Sequence, residues 1–260
     1  MPTEPASTEP ASTEPASADR HRVLTAGVLF LVTFVSAIAG VQLYAPVLDG
    51  PGYVLGAGAD TQVVLGVLCE VVLIVANVGT ALALYPLLRR RTEGLALGYV
   101  VARVIECVFI AVGMLCVLTV VTLRLHAGEL AASGAGPDVV SVSAQTLVAL
   151  RNWTFLLGPG FVAGLGNGVL LGWLLLRAGL VPRALAVVGI AGGSLVALSG
   201  IGVLFGLWSQ GSPVSAVATL PEIVWEAYLG IALTFVTLTA GQRRRAANRL
   251  ARKSPQPSAA

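Results

Sequence analysis

Four ionisable side chains interrupt stretches that are otherwise apolar: Glu70, Arg103, Glu106 and Glu226. Two amides, Asn77 and Asn167, stand in the same kind of surroundings. A charge inside a long apolar run is costly, so such residues are the first candidates for function. Arg103 and Glu106 are three apart, which puts them on one face of a helix and within reach of each other. That pair reads first as a self-neutralised lock between helices. The four charges still sum to an excess of carboxylate, so Glu70 or Glu226 must be protonated, face water or hold a cation. Reactive chemistry finds little to work with. The two histidines, His21 and His126, fall outside the apolar runs, and neither Gly-x-Ser-x-Gly nor His-Glu-x-x-His occurs. Cys69, Cys107 and Cys116 form no CxxC or Cys/His group, so they read as small buried hydrophobes rather than metal ligands. No catalytic residue, metal or cofactor is assigned, and the chain is not expected to be an enzyme.

The elements that position these residues follow from composition. The 260 residues are 56% hydrophobic and 11% charged, against roughly 25% charged in a soluble domain. Six apolar runs cover 23–43, 62–88, 94–123, 153–176, 184–208 and 220–240. At about 1.5 Å per residue each can cross a hydrocarbon core of about 30 Å. Backbone groups in lipid must satisfy themselves, so the runs are expected to be helices. The fold class is therefore all-α, a polytopic bundle of six spans. Counted from the middle of each run, Asn77, Glu106 and Asn167 lie within about 5 Å of the midplane. Glu70 and Glu226 lie about 6–8 Å toward one side, and Arg103 about 8 Å toward the other. Glu222, one turn before Glu226, is expected at the interface and solvated.

The loops set orientation. Arg20 and Arg22 precede the first run, Arg89, Arg90 and Arg91 join the second to the third, and Arg177 and Arg183 join the fourth to the fifth. Arg243, Arg244, Arg245, Arg249, Arg252 and Lys253 follow the sixth. The opposite loops hold only Arg124 and Arg151. The positive-inside rule then places both termini in the cytoplasm of a cell-membrane protein. The rival reading, a cleaved signal peptide ending at Ala37-Ile38-Ala39, would leave five spans and break the alternation. The domain plan is a disordered acidic repeat tail over 1–19 built on Thr-Glu-Pro-Ala-Ser, a transmembrane domain over 20–242 and a basic tail over 243–260. That last tail suits anionic lipid. Nucleic acid is not an expected partner, because the basic residues sit in short clusters beside apolar runs.

The fourth run carries Gly160, Gly164, Gly168 and Gly172, and the fifth carries Gly189 and Gly193. Small residues spaced by four let helix backbones approach closely, so these two faces are expected to meet. The groove also offers a face to a second copy or a membrane partner. Pro159 between two glycines is a point where the fourth helix can break. The segment 139–150 is read as an interfacial helix or an outward extension of the fourth span.

Several short stretches give the chain a familiar look: Ala26-Gly27-Val28-Leu29-Phe30, Arg103-x-x-Glu106, Leu180-Val181-Pro182-Arg183, Gly189-Ile190-Ala191-Gly192-Gly193 and Trp225-Glu226-x-x-Leu229-Gly230. Over residues 22–241 the chain resembles a bacterial six-helix membrane family known as domain of unknown function 4386. The resemblance implies the fold and no activity. The leading expectation is a non-catalytic structural or accessory membrane protein. The alternative is a small-solute or proton-coupled transporter or channel built on the Glu/Arg/Asn cluster.

Overall fold

The computed structural model describes the backbone of residues 14–50, 52–56 and 58–253, and side chains from 18 to 235 apart from positions 51 and 57. The repeats before Glu14 and the last seven residues lie outside the described part, as do the side chains of the basic run at 243–253. The elements are helices: α1 (Glu14–Leu43), α2 (Ala45–Leu48), α3 (Asp60–Leu88), α4 (Glu93–Leu125), α5 (Ala127–Ala132), α6 (Pro137–Phe155), α7 (Leu171–Ala178), α8 (Arg183–Leu204) and α9 (Pro213–Lys253). Between α6 and α7 the chain continues as two π-helical segments, Leu156–Val162 and Gly164–Leu170. Six of the resulting rods are long and apolar enough to span a membrane.

The fourth rod is the longest of these, 42 residues from Pro137 to Ala178. Residues 139–150 thus extend the span rather than lie on the interface. Its middle widens into π-helix where the sequence supplies Pro159 and five glycines, Gly158, Gly160, Gly164, Gly166 and Gly168. Proline lacks an N–H and crowds the carbonyl four residues back, so the ordinary i to i−4 ladder cannot run through it. The rod ends at Gly179, whose φ of +68° is the left-handed turn that closes many helices.

α1 and α9 pack antiparallel. A Cβ on Gly27 would lie 2.5 Å from the Thr234 hydroxyl, and one on Gly230 would lie 3.0 Å from Leu31. The start of α1 therefore lies beside the later part of α9, and the two ends of the bundle share one side. That termini side also holds the α3–α4 and α7–α8 turns; the far side holds α2, α5 and the α8–α9 turn.

Two apolar cores fill the bundle. Near the termini side Phe30, Leu84, Leu88, Tyr99, Leu171, Leu175, Trp225 and Leu229 are buried together. Near the far side the second core joins Tyr44, Val47, Val54, Val63, Val117, Val120 and Val140. The remaining large side chains turn outward, among them Val35, Val75, Leu115, Leu198 and Val217, as a lipid-facing surface requires. Polar ties sit at the two ends. On the termini side Arg90 donates to both oxygens of Asp19, at 2.6 and 2.9 Å. On the far side Arg124 pairs with Asp60, donates from Nε to the Gly56 carbonyl at 3.2 Å and lies over the Tyr53 ring. The Tyr53 hydroxyl donates to Asp60 at 2.6 Å, and burial with that carboxylate pushes the phenol above its ordinary range. Arg124 is thus a structural clamp for the loop that precedes α3.

Candidate functional site

Between the two cores lies a cavity of about 330 Å³. Its wall includes Glu70, Asn77, Arg103, Glu106 and Glu226, together with Arg151. Helices α1, α3, α4, α9 and the fourth rod all contribute. Five of the six polar residues singled out in the sequence therefore face one space. The sixth, Asn167, is reached through Glu226.

The innermost group is a closed triangle. Arg103 donates from Nη1 to Glu106 Oε2 at 2.7 Å and from Nη2 to Asn77 Oδ1 at 2.8 Å. Asn77 Nδ2 donates to Glu106 Oε1 at 3.1 Å. The helical i, i+3 spacing brings Arg103 and Glu106 together, and α3 supplies the amide that completes both. Arg103 is 2% exposed, and its guanidinium lies 5.8 Å from the centre of the Phe30 ring. Its Nε has no acceptor. Charge-assisted bonds of this kind are about twice as strong as neutral ones.

The second group corrects the sequence reading. Arg151, expected in a far-side loop, sits inside α6 and is 5% exposed. Its Nη2 stands 3.7 Å from Glu70 Oε1, close enough for an ion pair but beyond hydrogen-bond reach, and it has no other acceptor. The guanidinium is flanked by the Phe155 and Tyr44 rings, 4.8 and 5.6 Å from their centres. The Tyr44 hydroxyl donates to the other oxygen of Glu70 at 2.9 Å. Burial first, then the Glu70 carboxylate, pushes the Tyr44 phenol above its ordinary value, so it remains a donor. Two glycines make this contact possible. A Cβ on Gly66 would lie 2.8 Å from the Tyr44 ring, and one on Gly113 would lie 2.7 Å from the Thr154 hydroxyl. A helix-length count placed the break between the third and fourth spans too late to catch Arg151. Its i, i+3 and i, i+4 neighbours, Thr154 and Phe155, were the available signal.

The third group is on α9. Asn167 Nδ2 donates to Glu226 Oε1 at 2.6 Å, and the Trp225 indole donates to the Asn167 carbonyl at 3.1 Å. Asn167 Oδ1 is buried without a donor. Glu222, expected in solvent, is 7% exposed, and neither of its carboxylate oxygens has a hydrogen-bond partner. Its neighbours at i+3 and i+4 are Trp225 and Glu226, and a depth count that began the span at 220 left it at the mouth of a helix that begins at Pro213.

The glycines divide by face. A Cβ on Gly164 would lie 2.9 Å from the Gly193 carbonyl, and one on Gly168 2.5 Å from Gly193 Cα. Gly172 faces Ala186 and Ile190. The fourth rod and α8 thus touch backbone to backbone along this stripe. Gly160 does not belong to it: its nearest neighbours are Phe155 and Leu156 of its own rod. Gly189 lies mainly under the Trp225 indole, 2.5 Å from where its Cβ would be. The π segments carry a second glycine face that the spacing by four did not reveal, with Gly158 against Phe109 and Gly166 against Ala102 of α4.

Cys107 and Cys116 are buried free thiols, and Cys69 is half-buried. Among the described residues no cluster of His, Cys, Asp and Glu has the make-up of a metal site.

The family model described as Domain of unknown function (DUF4386) matches residues 25–236. The chain belongs to that family. No curated protein and no solved structure matches it.

Proposed function

We propose that the chain is a non-catalytic carrier of the cell membrane, with both termini in the cytoplasm, whose central cavity holds a small solute bearing both signs of charge. The observation that carries the reading is the 330 Å³ cavity walled by two arginines and three glutamates between two apolar cores. A bundle that needed only stability would fill this space with apolar side chains at interior density. Among the described residues Arg151 Nη2 and Arg103 Nε donate no hydrogen bond and keep that capacity. Phe34, Phe109 and Phe155 supply apolar wall between the charged groups. Two guanidinium–carboxylate groups with aromatic rings in the same wall offer partners for both signs of a compact zwitterion. The π-helical middle of the fourth rod supports the same reading, since such segments recur at functional sites. Among the described residues the hydroxyls on the cavity wall are those of Thr33, Thr154 and Thr219.

The orientation rests on the basic residues of the termini side, and the run from Arg243 to Lys253 fits the anionic lipid of a cytoplasmic leaflet. A second reading, a structural or accessory protein, is favoured by one feature: the Arg103–Glu106–Asn77 triangle is a self-contained lock.

A cysteine scan separates the two. Single cysteines at Thr33, Ile110 and Thr219, placed in a background lacking Cys69, Cys107 and Cys116, are treated with a charged methanethiosulfonate in proteoliposomes. The carrier reading expects modification, and protection by betaine or neutral amino acids used as zwitterion probes. If none of the three positions reacts from either side, the cavity is sealed from water and the structural reading stands.

A further inference from the structure

A second cavity, of about 440 Å³, lies between the fourth rod, α8 and α9. It reaches the far-side turn at Gln210 and Gly211, and its polar lining includes Ser199, Ser215 and Glu222. Glu226 lines both this cavity and the central one. Glu222 and Glu226 are four apart on α9, on one face. The three buried oxygens in this neighbourhood without a donor are both carboxylate oxygens of Glu222 and the amide Oδ1 of Asn167. All of them are acceptors, so the group that would satisfy them must bring a donor hydrogen or a positive charge.

We infer that Glu222 carries a proton, and that Glu222 and Glu226 form a two-step proton relay from the far-side cavity to the central cavity. A buried carboxyl in protonated form gains one O–H donor, which its carboxylate form lacks, and sheds the charge that cannot be desolvated cheaply. Among the described residues no cation pairs directly with Glu222 to do this instead. The charged groups facing Glu222 are Glu226 on its own helix and Arg103 and Glu106 on α4, and Arg103 is already committed to Glu106 and Asn77. The π segments present glycines and Asn167, and α8 presents glycines and Ser199. Glycine is required at the contact. A Cβ on Gly168 would lie 2.6 Å from Glu222 Oε2, and one on Gly192 would lie 2.7 Å from the Glu222 backbone nitrogen. Transfer moves one proton: the O–H bond on Glu222 breaks, one forms on Glu226, and the negative charge passes back to Glu222. In the carrier reading above this relay supplies the driving ion, but it does not depend on any solute being bound.

The test is infrared spectroscopy of the full chain in nanodiscs at neutral pH, in H2O and D2O. A carbonyl band of a protonated carboxyl that shifts on deuteration is expected, and it is lost in Glu222→Gln while Glu70→Gln keeps it. No such band in the wild type overturns the proposal, and this arm needs no variant to fold. A band lost in Glu226→Gln but kept in Glu222→Gln also overturns it, because the proton then resides on Glu226. Glu222→Met serves if the amide variant fails to fold. Sodium is the competing positive charge. Thermal stabilisation of the wild type by sodium over choline at equal ionic strength, absent from Glu222→Gln, would make this a metal-ion site and sink the relay.

Discussion

The glycine stripe yields a sharp contrast, because one chemical change has opposite consequences at two positions of the same apparent motif. Gly193→Ala places a methyl group against the Gly164 carbonyl, 2.8 Å from Gly168 Cα and 2.9 Å from the Val169 nitrogen. All three are backbone atoms, so no side chain can rotate away and the helices must separate. Forcing a methylene into a packed contact costs about 1–3 kcal/mol, and a rigid backbone obstacle puts this case at the upper end. Gly160→Ala meets only the Phe155 carbonyl at 3.5 Å and Leu156 Cδ1 at 4.0 Å, which is ordinary contact. Removing a glycine from a helix there gains about 0.5–1 kcal/mol through the unfolded chain. The two variants should therefore differ by about 2–4 kcal/mol, with opposite signs relative to wild type. Cys107 and Cys116 are buried thiols and provide the reporter, because a maleimide fluorophore reacts with them only as the bundle opens on heating. Expected is a Tm lowered by several degrees for Gly193→Ala and raised slightly for Gly160→Ala. Equal shifts of the same sign would refute the division of the stripe into a contact half and a free end.

Breaking the triangle should be expensive. Arg103→Met leaves Glu106 buried and unpaired, a loss of about 3–5 kcal/mol, and the double variant Arg103→Met/Glu106→Gln should recover most of it; the same thiol assay decides, and a double variant as unstable as the single would show that the pair is not the unit. The far-side clamp should be cheap by comparison, since the Arg124 and Asp60 side chains are 15% and 29% exposed. Arg124→Ala is expected to cost about 1 kcal/mol, with the share due to the Asp60 pair shrinking in high salt and the share due to Gly56 and Tyr53 remaining. For orientation, an alkaline phosphatase fused after Ala260 should be inactive and a green fluorescent reporter at the same point bright, since phosphatase folds only outside the cytoplasm; the reverse pattern would invert the bundle.

The six spans were legible because their signal is redundant: each apolar run exceeds the membrane thickness, and the basic residues alternate with the runs. The Arg103–Glu106 pair was legible because i, i+3 is a local geometry. Arg151 and Glu222 were not, and for the same physical reason. Depth counted along a single run assumes that the span ends where apolar composition ends. The fourth rod runs through 141–152, where Ser141, Ser143, Gln145 and Thr146 break the apolar pattern, as continuous helix, so a residue that looked like loop is at cavity depth. α9 begins at Pro213, well before its apolar run, so Glu222 lies two turns inside the helix rather than at its mouth. In both cases a helix extension beyond the apolar run moved a charge inward. The second glycine face was equally hidden, because Gly158 and Gly166 are eight apart and their partners, Phe109 and Ala102, lie on another helix.

The position of the charged groups follows from the packing on either side of them. The termini-side core closes the central cavity with Phe30, Tyr99, Leu171 and Trp225, each buried to within 1%. The far-side core closes the α1, α3, α4 and α6 quarter with Tyr44, Val63, Val117 and Val140. The α8–α9 side is closed by smaller polar contacts, Trp208 donating to Ser199 at 3.4 Å and Ser199 to Ser215 at 3.2 Å, and the second cavity runs there to the wall that Glu226 shares. Polar access to the membrane's middle therefore comes from one side and along one pair of helices. The glycines hold the fourth rod and α8 at backbone contact, and the partition between the cavities is shared by Thr219, Ile223 and Glu226 of α9 with Phe155, Pro159 and Ala163 of the fourth rod. A movement that joins the two cavities has to separate α9 from the fourth rod at these residues. Trp225, fully buried on the neighbouring turn and bonded to the Asn167 carbonyl, is the anchor such a movement must break.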